Sequence, residues 1–257
     1  MEEQVNFMTT TIAKGDSVLL IHKKKSFMVT VNEREFHSHF GVINLSDLIG
    51  APYGTEICSH SDQRFIAIKP TYIDYIKKMR KMPQVIQPKD AAQILAYTGL
   101  SRGNTVVEGG TGSGALTIFL ASVIDPGKVY TYEKREDFLT IAQKNIASFR
   151  LKNVVFHLRD IYEGIEEHHV DLVTLDVASP EKMVEPAYEA LRPGGYIFSY
   201  SPCIEQVSRF CLIAQEKEMQ LRTIECIVRE YDVTYKGTRP RSRMLGHTGY
   251  MSFARKI

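Results

Sequence analysis

Residues Thr105 to Ile124 read "TVVEGGTGSGALTIFLASVI": an apolar run, four glycines within six residues, then a second run of helical composition. Without a Cβ, glycine lets the chain turn sharply and lets a ligand approach the main chain. A glycine turn that leaves a strand and opens a helix offers free N–H groups to an anionic or zwitterionic ligand. Gly110, Gly112 and Ala115 satisfy the dinucleotide spacing G-x-G-x-x-A, and Glu133 follows about 20 residues on, placed to hold ribose hydroxyls. Glu108 favours a different ligand. A carboxylate beside the loop repels a diphosphate and attracts the ammonium and sulfonium groups of S-adenosylmethionine. The remaining alternative is that the glycines only permit tight strand–helix packing.

Outward from the loop, strand-like and helix-like stretches alternate. The runs "NTVVEG", "KVYTYE", "NVVFHL", "VDLVTLD" and "GYIFSY" are separated by helix-compatible stretches at Leu116–Val123, Asp137–Phe149, Pro180–Leu191 and Glu205–Lys217. Such units imply parallel strands with right-handed crossovers, an open α/β sheet covered by helices on both faces, and ligands at the strands' carboxyl ends. "TIECIVREYDV" and "GYMSFARKI" lack an intervening helix and are expected to form a terminal antiparallel hairpin with a long basic connection. "LRPGG" is expected to turn before its strand. Upstream, Pro88 and Gly99 bracket an expected helix, and Thr71 to Met82 a linking helix. Residues 1–70 carry short β-type runs broken by turn formers and read as a small β-domain; residues 71–257 hold the linking helices and the α/β domain.

Composition narrows the classes. The chain is 44% hydrophobic, enough for a full core, and nothing in it reads as an export signal or membrane span, so a soluble protein is expected. Cys58, Cys203, Cys211 and Cys226 are scattered without a C-x-x-C pair, which argues against a disulfide framework or zinc site and fits a reducing cytoplasm. His37 and His39 share one face of an expected strand but lack a third ligand, so no metal is expected. The net charge of +2 is small, yet basic residues cluster at His22–Lys25, at "KKMRK" (Lys77–Lys81), and in the tail from Lys236 to Lys256, which has no Asp or Glu. Each cluster alone reads as a solvated face; three together favour a polyanionic partner. Asp160 and Asp176 end further strands, either as caps or facing the ligand crevice.

"EGGTGSG", "TYEKRED", "RD", "LDVASP" and "LRPGG", in this order, resemble the class I S-adenosylmethionine-dependent methyltransferases. With "FHSHFG", "PTYIDYIKKMRKMPQVIQPKDAA" and "RPRSRMLGHTGYMSFARK" added, nearly the whole chain is similar to the tRNA (adenine-N1) methyltransferases that modify adenine 58 of the T-loop. Some archaeal relatives also treat adenine 57. The resemblance implies a Rossmann-like sheet preceded by an RNA-contacting β-domain, a homotetramer, and a cytoplasmic enzyme acting on tRNA. It assigns Glu108, Gly109, Gly110, Thr111, Gly112, Ser113, Gly114, Ala115 and Leu116 to the methionyl end of the cofactor, Glu133 to the ribose, Asp160 to the adenine ring, and Asp176 to the target base near the methyl group. Relatives often have tyrosine where this chain has Gln87, which leaves the partner of the flipped base open.

Adenine N1 already carries a lone pair, so attack on a sulfonium methyl needs no general base, and positioning supplies much of the acceleration. Asp176 is then expected to accept from the N6 amino group and to steady positive charge on the ring. Flipping the base costs a few kcal/mol, offset by backbone contacts. Those contacts are expected from Arg239, Arg241, Arg243 and His247, and from Lys77, Lys78, Arg80 and Lys81. The rivals are a methyltransferase acting on protein or a small molecule, a nicotinamide oxidoreductase, and a non-catalytic RNA-binding subunit, which would be expected to carry a damaged loop.

Overall fold

The computed structural model describes residues 11–79 and 85–257. Two compact units, Met1–Met79 and Arg80–Ile257, account for the chain. The sequence boundary at residue 70 falls one helix earlier than this division.

The first unit is β-rich. Strands β1 (Ser17–His22), β2 (Lys25–Thr30), β3 (Glu35–Ser38), β4 (Gly41–Asn44), β5 (Glu56–Cys58) and β6 (Arg64–Ile68) form an antiparallel sheet of order β2-β1-β6-β5 and a separate β3–β4 hairpin. Val18 and Leu20 of β1, Phe65 and Ala67 of β6, and Ile43 and Leu48 close one apolar core. Helix α1 (Tyr72–Lys78) starts on a capping box in which Thr71 and Asp74 bond reciprocally, and it ends with Lys77 and Lys78, charges suited to a helix C-terminus.

The second unit opens with α2 (Pro88–Thr98), which has Pro88 in its first turn and Gly99 as a left-handed cap, φ 68°. There follow β7 (Thr105–Gly109), α3 (Ala115–Ile124), β8 (Lys128–Glu133), α4 (Glu136–Ser148), β9 (Val154–Leu158), β10 (Val170–Leu175), α5 (Val184–Ala190), β11 (Leu191–Ser201) and α6 (Ile204–Glu216). The chain ends in β12 (Gln220–Ile224), β13 (Tyr231–Thr234), β14 (Gly237–Pro240) and β15 (Tyr250–Arg255). Seven strands form one sheet, β12-β15-β11-β10-β7-β8-β9, parallel from β11 to β9. Neighbours in sequence serve opposite cores: Val107, Val173, Ile197 and Ala254 pack under α5 and α6, while Val106, Leu172, Phe198 and Phe253 pack under α2 and α3. Burial on both faces is why these strands read as continuous apolar runs.

Two expectations are corrected in detail. The last two runs do pair antiparallel, but β15 sits between β11 and β12, and the basic connection carries its own hairpin, β13–β14. The Pro-Gly-Gly lies inside β11: Val170 faces Leu191 while Leu172 faces Tyr196, so residues 192–195 bulge out, with Gly194 at φ 81°. Chain direction across the sheet reverses between β7 and β10, which opens a crevice at their carboxyl ends.

Candidate active site

The glycine loop is clamped onto β8. Gly110 and Thr111 donate their N–H groups to Tyr132 O at 3.0 and 3.3 Å, and Gly112 donates to Glu133 Oε2 at 3.0 Å. Gly110, at φ 92°, passes so close to the β10 end that a Cβ would stand 2.5 Å from the carbonyl oxygen of Asp176. Gly112, at φ 55°, faces open space. A cavity of about 340 Å³ lies there, within the range of small-molecule sites. Gly110, Gly112, Glu133, Asp160, Tyr162 and Asp176 line it, with Phe138.

Each acid has a distinct setting. Glu133 Oε1 also accepts from Arg135 N at 3.0 Å, so two backbone donors fix the carboxylate at the cavity wall. Asp160 is both cap and wall: Oδ1 accepts from Tyr162 N at 3.2 Å, and Oδ2 stands 3.5 Å from Lys134 Nζ. Asp176 is anchored through its backbone N–H to Gly109 O at 3.0 Å, while its carboxylate has no hydrogen-bond partner among the described residues. Protein surrounds Asp176 on most sides although solvent reaches it through the cavity mouth, and this desolvation pushes its carboxyl up to about 6.

Glu108 is buried behind the loop instead of lining the cavity. Thr117 on α3 and Thr131 on β8 donate to Oε2 at 2.5 and 2.7 Å, and Thr111 of the loop joins Thr131 at 2.6 Å. Its Oε1 is buried without a hydrogen-bond partner among the described residues. Burial lifts its carboxyl to about 7, against the lowering effect of both threonines and with the nearby Asp176 and Glu133 adding to the rise. The sequence reading of Glu108 as a loop-side acid therefore acquires a second aspect, a strut that ties loop, strand and helix together.

A family model described as "tRNA methyltransferase complex GCD14 subunit" matches residues 66–238. The chain belongs to the GCD14 family. Among its relatives, the tRNA (adenine(57)-N(1)/adenine(58)-N(1))-methyltransferase TrmI of Methanocaldococcus jannaschii is 34% identical, covering 93% of this chain and 94% of its own. The tRNA (adenine(58)-N(1))-methyltransferase TrmI of Thermus thermophilus is 33% identical, covering 94% and 97%. A solved structure from Thermotoga maritima, described as a SAM-dependent O-methyltransferase, superposes with a TM-score of 0.86 at 32% identity, covering 96% of this chain and 95% of its own. The class I methyltransferase fold expected from the sequence is thus established for this GCD14 chain.

The remaining residues expected to act in this family fall in several places. Gln87 precedes α2, donates to Val85 O at 3.2 Å, and lines a separate cavity with Arg243 and Met244; the structure does not bring it into the Asp176 cavity. Arg239 and Arg243 are exposed, whereas Arg241 is paired with Glu230 and, at 3.0 Å, Asp232. His247 uses both ring nitrogens internally, on Glu225 Oε1 at 2.6 Å and Pro202 O at 3.1 Å. Two acceptors favour the doubly protonated ring, and Glu225 foremost raises its pKa. Lys77 is exposed; Lys78 Nζ donates to Ser26 O at 2.6 Å. Arg80 and Lys81 lie outside the described residues.

Sequence reasoning missed one buried network. Asp90, 0% exposed, accepts from Lys89 Nζ at 2.6 Å, Thr248 Oγ1 at 2.9 Å and Tyr200 Oη at 3.2 Å. It joins the first turn of α2 to the end of β11 and to the loop before β15. Gly249 allows that closure, since a Cβ there would meet the Tyr200 ring at 2.5 Å. The signal was present in "PKD" and "HTG", quoted as signatures, but residues 158 apart reveal no contact by spacing.

Proposed function

We propose that this chain transfers a methyl group from S-adenosylmethionine to N1 of adenine 58 in the tRNA T-loop. The observation that carries the reading is Asp176: an unpaired carboxylate at the switch point of a GCD14-family sheet, in the same cavity as the glycine loop and Glu133. The cofactor fits the residues present. Gly110 and Gly112 leave the main chain bare, and Glu133 is fixed at the wall for a ribose diol. When bound, S-adenosylmethionine supplies a methyl group on a positively charged sulfur.

The chain's own residues supply position and charge. Asp160 and Phe138 border the space for the cofactor's adenine. Asp176, ionised above about pH 6, accepts a hydrogen bond from the target's N6 amino group and stabilises the cationic ring formed by attack. Arg239, Arg243 and Lys77 are the exposed cations proposed for the RNA backbone, with Arg80 and Lys81 as sequence candidates; Arg241 and His247 act through the fold that presents them. We assign a homotetrameric, cytoplasmic enzyme, a reading supported by the exposed apolar side chains of the β13–β14 hairpin, Val233 and Tyr235, and by the family resemblance.

Incubation with labelled S-adenosylmethionine and an unmodified tRNA transcript, followed by digestion and mapping, is expected to place 1-methyladenosine at position 58; the same map reads position 57. The description of the Thermotoga structure favours a second reading, O-methyl transfer. Alkali-stable ribose methylation or label confined to a small molecule would establish that reading and overturn ours.

A further inference from the structure

At the opposite end of the sheet from the crevice lies another cavity, of about 420 Å³. Arg222, Arg255, Tyr97, Tyr196 and Gln220 line it, with no carboxylate among the lining residues. Register explains the grouping. Gln220, Arg255 and Tyr196 stand side by side across β12, β15 and β11, and one row inward stand Arg222, Phe253 and Phe198 on the same face. The end of α2 covers the inner row: Tyr97 packs on Phe253 with ring centres 5.2 Å apart. The helix then stops at Gly99, and the two arginines stay uncovered.

Each guanidinium is braced by an aromatic face, Arg222 by Tyr97 at 5.1 Å and Arg255 by Tyr196 at 5.4 Å. Arg255 Nε also leans on Gly194 O at 3.4 Å. Stacking restrains a guanidinium while leaving its edge N–H groups available, and those edges match the oxygens of a phosphate. Two neighbouring cations on one sheet face, with no carboxylate among the residues lining their cavity, repel each other until an anion joins them.

We propose that this cavity is a phosphoryl-binding site that takes the phosphodiester backbone of RNA. It is distinct from the cofactor crevice: Tyr196 lies five residues before the end of β11, about 17 Å at the rise of a strand. A small substrate held in the crevice does not extend there, whereas a polymeric anion does. The choice of RNA rests on the tRNA reading above; the anion chemistry does not.

The test compares wild type, the double variant Arg222→Gln/Arg255→Gln, and the control Lys144→Gln/Lys152→Gln, which removes the same charge from the far edge of the sheet. Binding of tRNA is measured across a salt series and binding of inorganic pyrophosphate by calorimetry, with S-adenosylmethionine affinity reporting an intact fold. The arginine variant is expected to flatten the log K against log salt slope by about 1.4 to 1.8, two phosphates' worth, and to lose pyrophosphate binding, while the control changes the slope by less than half as much. Arg222→Lys/Arg255→Lys is expected to keep the slope and lose affinity. Loss of pyrophosphate binding with an unchanged tRNA slope supports the site for a small phosphate ligand and overturns RNA as its occupant. Equal slopes in the arginine variant and wild type, with pyrophosphate binding equal or absent in both, overturn the site altogether. A wild type that binds pyrophosphate here but no tRNA sinks the tRNA reading and leaves the anion site standing.

Discussion

Replacing Glu108 by Gln is expected to change how stability depends on pH. In the fold its carboxyl rises from 4.5 to about 7, with burial as the main cause. At 1.36 kcal/mol per pK unit, holding this side chain ionised costs the fold about 3 kcal/mol. The sign follows from proton counts: between pH 4.5 and 7 the folded chain keeps a proton that the unfolded chain has released. Stability from this group is therefore complete below pH 4.5 and is lost as pH rises through 7. Glutamine does not ionise, so it lacks this dependence. Its amide nitrogen takes the place of the unpaired Oε1 and loses a hydrogen bond to water at every pH, an offset that cancels when two pH values are compared. Thermal unfolding of the cofactor-free proteins at pH 5 and pH 8.5 is the assay. The difference between variant and wild type is expected to move in the variant's favour by up to about 3 kcal/mol, roughly 6–12 °C for a unit of this size. A Tm difference that stays the same at both pH values would show that Glu108 is not desolvated and would refute the electrostatic account of the loop.

Asp176 titrates near 6, so single-turnover methyl transfer is expected to fall tenfold for each pH unit below about 5.5 and to be flat above 7, measured at saturating S-adenosylmethionine. Gly110→Ala puts a methyl 2.5 Å from the Asp176 carbonyl and strains a left-handed backbone; a loss of at least 100-fold in cofactor affinity is expected by calorimetry, with Gly112→Ala milder because its Cβ meets no protein atom. Arg239→Ala and Arg243→Ala are each expected to flatten the tRNA salt slope by about 0.7 to 0.9, whereas Arg241→Ala, which unpairs Glu230 and Asp232, is expected to lower the hairpin's protection from proteolysis.

The five parallel strands and their helices were legible because burial on both faces writes them as unbroken apolar runs, and the glycine loop because its positive φ angles and the close approach of Gly110 to Asp176 favour glycine. Long-range placement was not. Nothing local marks β15 for insertion between β11 and β12, and the "VTYKGTR" hairpin hid inside a stretch read by its charge. Composition treated all the tail's cations alike, whereas the fold neutralises Arg241, commits both nitrogens of His247, and leaves Arg239 open. Arg222 lay outside every basic cluster and Arg255 at the far end of the tail, yet the fold brings them onto one sheet face. Gln87 and Asp176, linked by the family resemblance, line different cavities because the resemblance supplies roles and not distances.

The most direct test is methyl transfer to tRNA by Asp176→Asn, with S-adenosylmethionine affinity measured on the same preparation. Asparagine keeps the side chain's size and removes its charge. Transfer is expected to drop by about 100-fold or more, while cofactor affinity stays within threefold of wild type. Transfer at an undiminished rate, or a matching collapse of cofactor affinity, would contradict the assignment of this carboxylate to the acceptor base.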